Sequence, residues 1–139
     1  MGPPGLLLVA VAVMLADRVT KEIALRTLAD TSRGGGVFRL VTSGRPRLAR
    51  EASKPTLVAV WLAAVACALA GLAVSPSLRA NPLVSVGVAV ALAGAACNGA
   101  DLLARGAVVD FIAIGWWPVF NLADAAIVVG AGVAALSLA

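Results

Sequence analysis

Thr56 to Val74 runs for 19 residues without one charge and is closed by Ser75-Pro76. A helix of that length crosses most of the ~30 Å of hydrocarbon in a bilayer, so the segment reads as a membrane span. The chain has 139 residues, of which 61% are hydrophobic and 13% charged, with a mean hydropathy of +1.00. A soluble domain of this size needs more polar surface than that, so the excess apolar surface must face lipid.

Three further apolar runs accompany the first: Gly5–Ala16, Leu83–Cys97 and Leu122–Ala139. The expectation is an all-α integral membrane protein, a single domain over 1–139 with four transmembrane helices. The approximate spans are 5–25, 56–74, 83–99 and 122–139. The leading Gly2-Pro3-Pro4 and the lack of an early positive charge are unlike a signal peptide, and no Ala-x-Ala site precedes Asp17. The first run therefore reads as a retained helix whose last turns carry polar groups. A polar, glycine-rich loop fills 30–55, and weak alternation over Val37–Thr42 suggests a short extramembrane strand. Trp116-Trp117 suits the headgroup level, where an amphipathic ring is stable.

Composition excludes several classes. The net charge of +4 comes without interleaved aromatics or a soluble domain to hold a duplex, so no nucleic acid is expected, and anionic headgroups suit the charge better. There is no histidine, which rules out a His-rich zinc site. Cys67 and Cys97 both sit in apolar runs and read as core or lipid-facing residues.

Four spans put both chain ends on one face and the loops Asp30–Pro55 and Leu102–Asn121 on the other. Asp17, Lys21, Asp101, Asp110 and Asp124 then gather at one surface. A charge inside a membrane normally faces the bundle interior, where it pairs or does chemistry. Plainer accounts exist for some of them. Asp17 and Lys21 suit an intrahelical ion pair, and Arg18 with Glu22 a second. Asn121 and Asp124 have the spacing of a helix capping box, whereas Asn98 and Asp101 share that spacing at the expected exit of a helix. Asp110, among Val108, Val109, Phe111 and Ile112, has no local partner. Should Asp110 and Asp124 meet, two neighbouring carboxylates would share one proton and could act as acid and base on a peptide bond.

The order of these residues resembles the bacterial lipoprotein signal peptidase (type II signal peptidase) family. Asp17-Arg18-Val19-Thr20-Lys21 looks like its first motif and Ala93 to Asp101 its third. Gly106 to Ile112, followed by Trp117 to Asp124, resembles its signature tract. The resemblance covers nearly the whole chain. It implies a four-helix intramembrane aspartic endopeptidase that removes signal peptides from diacylglyceryl-modified prolipoproteins. Asp110 and Asp124 fall on the catalytic aspartates, and Asp17, Lys21, Asn98, Asp101 and Asn121 on supporting or substrate-positioning places. It implies no metal or organic cofactor, and no obligate protein partner is evident beyond prolipoprotein substrates and membrane lipids. The third motif and first loop diverge: Leu102 stands where the family carries arginine, with Arg105 three residues further on. The tract Val41–Leu48 lacks the family's asparagine and Ala-Phe.

The resemblance implies a multi-pass protein of the bacterial plasma membrane with its site at the outer face. Charge counting points the other way, because Arg33, Arg39, Arg45, Arg47, Arg50 and Lys54 share the site's face against Arg79 opposite. Motif order outweighs the charge count, and the site is expected at the outer face. The rival classes are a catalytically altered or inactive member acting as a structural or assembly subunit, and a small ion or solute transporter subunit. The transporter reading calls for polar residues at mid-span, yet Thr56–Val74 and Leu83–Cys97 have almost none.

Overall fold

The computed structural model describes residues 2–27, 33–35, 38–43, isolated helical positions between 62 and 80, and 81–138. Helix α1 is Pro3–Thr27, with prolines in the first turn, where their missing N–H groups would be unbonded anyway. Strands β1 (Arg33–Gly35) and β2 (Phe38–Ser43) follow, then α2 (Pro82–Arg105), β3 (Asp110–Ile114) and α3 (Leu122–Leu136). Most of the expected span 56–74 lies outside the described residues, although Leu62, Ala63, Val65, Ala66 and Ala70 are helical. Much of the loop 30–55, including Arg45 to Lys54, and Cys67 lie outside them as well.

The surface is inverted relative to a soluble protein. On α1, Leu8 is 70% exposed while Asp17 and Lys21 are each 2% exposed, so large apolar residues face outward and this charged pair faces inward. Lipid makes that arrangement stable, since it costs nothing to leave leucine in hydrocarbon. Among the described residues, α2 is the helix long and apolar enough to cross a membrane by itself, with a mean hydropathy of 1.8. α3 is a shorter apolar helix of 15 residues.

α2 begins with Asn81 accepting from Leu83 N and Val84 N, with Pro82 at its first position. It stops at Gly106, whose φ of 76° is a left-handed conformation that glycine adopts without steric cost. The helix therefore runs well past the expected boundary near residue 99, and Asn98 and Asp101 lie inside it rather than at its exit. Leu102-Leu103-Ala104-Arg105 are good helix formers, and the bundle supplies the polar partners that a lipid-facing turn would lack.

α2 and α3 pack through small residues. A Cβ added at Gly94 would meet Ala123 O at 2.5 Å, and one at Gly87 would meet Gly130 O at 2.5 Å. Small residues let helix backbones approach closely in a membrane, where packing rather than water drives association. The far ends are tied by Asn81 Nδ2, which donates to Ser137 O at 2.9 Å.

The three strands form an antiparallel sheet in the order β1-β2-β3. β2 falls on the tract expected to alternate, whereas β3 lies in a segment read from sequence as loop. Its outer edge is clamped by Phe120, which exchanges backbone hydrogen bonds of 2.8 and 2.9 Å with Ile112. This clamp returns the chain to α3 beside the start of β3. Trp116 and Trp117 follow a turn at Gly115 and are both exposed, at 88% and 57%.

Candidate active site

Asp110 opens β3 and Asp124 sits in the first turn of α3; the chain between them folds back so that both reach Asn121. Asn121 caps α3. Its Oδ1 accepts from Asp124 N at 2.9 Å, and its own N donates to Asp124 Oδ2 at 3.1 Å, which completes a capping box. The same side chain donates through Nδ2 to Asp110 Oδ1 at 2.8 Å. The expected capping role and a link to Asp110 therefore coexist in one fully buried residue.

Asn98 joins the pair from α2. Its Nδ2 donates to Asp124 Oδ1 at 2.7 Å, and its Oδ1 accepts from Asn121 Nδ2 at 3.1 Å and Lys21 Nζ at 3.0 Å. Neither amide can be turned over without setting donor against donor or acceptor against acceptor, so the network fixes both orientations. The two hydrogens of Asn121 Nδ2 are shared among Asp110, Asn98 and Val109 O, the last at 3.2 Å.

Lys21 anchors the other half. Its Nζ is 2.8 Å from Asp17 Oδ2 and 2.8 Å from Asp101 Oδ2, with all three side chains buried. The pairing expected within α1 is present, but it is half of a bridge that crosses to α2. Asp17 Oδ1 also accepts from Ala123 N at 2.9 Å, tying α1 to the first turn of α3. Glu22 pairs with Arg26 at 2.8 Å, not with Arg18 as its spacing had suggested. Both arginines stand four residues away, and a glutamate preceding its basic partner is the better orientation along the helix dipole.

Asp17, Lys21, Asn98, Asp101, Asp110, Asn121 and Asp124 thus belong to one connected network drawn from α1, α2, β3 and α3. The backbone contributions of Ala123 and Val109 were invisible to a search for side-chain types. Leu102 is buried. Arg105 lies one turn after Asp101, with Nη1 3.8 Å from Asp101 Oδ1.

The Asp110 carboxyl is pushed up from 3.8 to about 6, first by burial and then by the charge of Asp124, against the opposing hydrogen bond from Asn121. A carboxyl raised in this way keeps its proton to a higher pH than a free aspartate does. One site can then offer an acid and a base together.

A sequence profile of the family described as signal peptidase (SPase) II matches residues 9–139. A lipoprotein signal peptidase of Rhodococcus jostii is 33% identical over 138 residues, covering 91% of this chain and 68% of that one. One from Mycolicibacterium smegmatis is 33% identical over 134 residues, covering 91% and 57% respectively. One from Syntrophomonas wolfei is 50% identical over 52 residues, 37% of this chain and 35% of that protein. The chain therefore spans between 35% and 68% of the length of these relatives. A bacterial membrane enzyme solved by the in meso method at 1.9 Å superposes with a TM-score of 0.83 at 24% identity, covering 98% of this chain and 93% of that one. A second, at 2.3 Å, gives 0.81 at 23% identity over 98% and 88%. At such identities the superposition speaks for the fold, and it is the sequence match along nearly the full chain that decides the relationship: the protein belongs to the signal peptidase II family.

Proposed function

We propose that this protein is an intramembrane aspartic endopeptidase that cleaves signal peptides from diacylglyceryl-modified prolipoproteins, with Asp110 and Asp124 as the working pair. The observation that carries the reading is Asn121, whose side chain binds Asp110 at 2.8 Å while its backbone N binds Asp124 at 3.1 Å. A single buried residue that touches both carboxyls keeps them together, and the elevated Asp110 suits a pair that shares one proton. The relatives named lipoprotein signal peptidase supply the substrate class.

In the proposed cycle the ionised member of the pair takes a proton from water as its oxygen attacks the scissile carbonyl carbon. The protonated member hydrogen-bonds the carbonyl oxygen, stabilising the tetrahedral intermediate. As that intermediate collapses, the C–N bond breaks and the leaving amine receives a proton from the pair. Burial favours Asp110 as the side that keeps the proton. Asn98 and Asn121 hold the carboxyls, while Asp17, Lys21 and Asp101 lock α1 and α2 around them.

The proposal includes four spans in a bacterial plasma membrane, with the signal helix entering from lipid and the site at the outer face. Purified protein should release the signal peptide from a diacylglyceryl-modified precursor, and Asp110→Asn or Asp124→Asn should abolish release while insertion persists. Processing by either variant would remove the pair from the mechanism. Labelling of a cysteine placed at Trp116 by a membrane-impermeant reagent, in intact spheroplasts, tests the orientation; protection there would reverse it.

A further inference from the structure

The buried cluster around Lys21 does not balance. One ammonium stands 2.8 Å from each of two carboxylates, Asp17 and Asp101, and the three side chains are no more than 4% exposed. Such a cluster keeps a net negative charge, which a poorly solvated interior tolerates badly. Among the described residues, the cation that answers it is Arg105. Its Nη1 is 3.8 Å from Asp101 Oδ1, the oxygen that Lys21 does not use, and its side chain is 32% exposed where that of Asp101 is 4% exposed. Arg105 therefore reaches the cluster from the rim, one helical turn along α2.

The cluster is wired to Asp124. Lys21 divides its protons among Asp17, Asp101 and Asn98 Oδ1, the last at 3.0 Å, and Asn98 Nδ2 donates to Asp124 Oδ1 at 2.7 Å. We infer that Arg105 is a positioning residue: by holding the second oxygen of Asp101 it keeps Lys21 shared with Asn98, and so keeps Asn98 aimed at Asp124. Without it, Asp101 carries an uncompensated charge and draws Lys21 toward itself. The asparagine Oδ1 then keeps only the donor from Asn121 Nδ2, the amide is held less firmly, and its bond to Asp124 weakens. This rests on the reading of Asp110 and Asp124 as the working pair. Among the described residues, the charged groups that act on Asp110 are Asp124 from α3, Lys21 from α1 and Asp101 from α2, with Asp17 and Arg105 paired to Lys21 and Asp101 behind them. Glu22 and Arg26 satisfy one another on the exposed side of α1.

The test compares Arg105→Gln and Arg105→Lys with the unaltered protein in detergent, following cleavage of a diacylglyceryl-modified precursor across pH. Gln should lower kcat about three- to tenfold and leave KM within about twofold, because the geometry of the pair rather than substrate binding is disturbed. The acid limb of the rate profile should move up by about 0.3–0.5 pH unit, since a carboxylate pair whose donor from Asn98 weakens and whose Lys21 is drawn toward Asp101 holds its proton more tightly. Lys should recover most of both effects. In an Asp101→Asn background, Arg105→Gln should have little further effect, because the charge it answers is gone.

A Gln variant with unchanged kcat and pH profile would overturn the inference. So would an effect confined to KM, which would place the guanidinium on substrate or headgroups, or a Gln variant that fails to fold, which would make the residue structural. An unaltered protein that does not cleave the precursor would instead sink the peptidase reading, and this inference with it.

Discussion

Asp110→Asn should make the protein more stable at alkaline pH while it destroys cleavage. The Asp110 carboxyl moves from 3.8 to about 6 on folding, chiefly through burial and secondly through Asp124. A raised value means that the folded state binds the proton more tightly than the unfolded chain does. The associated stability is fully present below pH 3.8, declines as the pH climbs to about 6, and is absent above that. At 1.36 kcal/mol per pH unit, the difference corresponds to an upper bound of about 3 kcal/mol at pH 8. Asparagine keeps an oxygen for the 2.8 Å bond from Asn121 Nδ2 and has no charge to desolvate. The variant should therefore unfold like the unaltered protein at pH 4 and about 1–3 kcal/mol later at pH 8. For a chain of this size that is several degrees in midpoint, at roughly 2–4 °C per kcal/mol. The assay is thermal unfolding in detergent at the two pH values. Parallel pH dependences of the two proteins would show that Asp110 is not held in a strained, charge-hostile position, and the acid–base argument would lose its physical basis.

Other consequences follow from the same contacts. Lys21→Met strands the buried Asp17 and Asp101 carboxylates and should cost about 3–5 kcal/mol, read as a lower unfolding midpoint, with Asp101→Asn in that background recovering part of the loss. Asn121→Ala removes the cap of α3 and the donor to Asp110; a loss of about 2–3 kcal/mol together with a large fall in cleavage is expected. Gly94→Ala drives a Cβ to 2.5 Å from Ala123 O, and because that neighbour is backbone, about 1–3 kcal/mol of destabilisation and reduced cleavage should result. Gly132→Ala, which meets nothing within 4 Å, should be neutral or slightly stabilising by the same unfolding measurement.

The three described helices α1, α2 and α3 and most of the polar network were legible in the sequence, because hydropathy and i,i+4 or capping spacings are local properties. Asp17 with Lys21, and Asn121 with Asp124, could be read as pairs for that reason. What it misjudged depended on partners far along the chain. Asn98 and Asp101 looked like the end of a helix because polar residues are costly in lipid, yet α2 continues to Arg105 since α1 and α3 supply their partners. β3 was read as loop, although Val108 and Val109 before it and Phe111 and Ile112 within it favour a strand; its pairing with β2 and Phe120 could not be seen locally. Glu22 had two basic neighbours at equal spacing, and the order of charges along the helix, glutamate before arginine, was the local signal that favoured Arg26.

The glycine seam and the polar site are parts of one arrangement. Gly94 lies one turn before Asn98 on α2, and its closest approach on α3 is Ala123 O, the residue immediately before Asp124. With a side chain at 94 the backbones would separate, and the 2.7 Å contact between Asn98 and Asp124 would lengthen with them. Asp17 reinforces the same point from α1 by binding Ala123 N at 2.9 Å. Ala123 is thus held through its backbone N and O, by the Asp17 carboxylate on one side and the close approach of Gly94 on the other. The position of Asp124 is therefore set by where the helices can touch, and side-chain chemistry then acts on a carboxyl whose place is already determined.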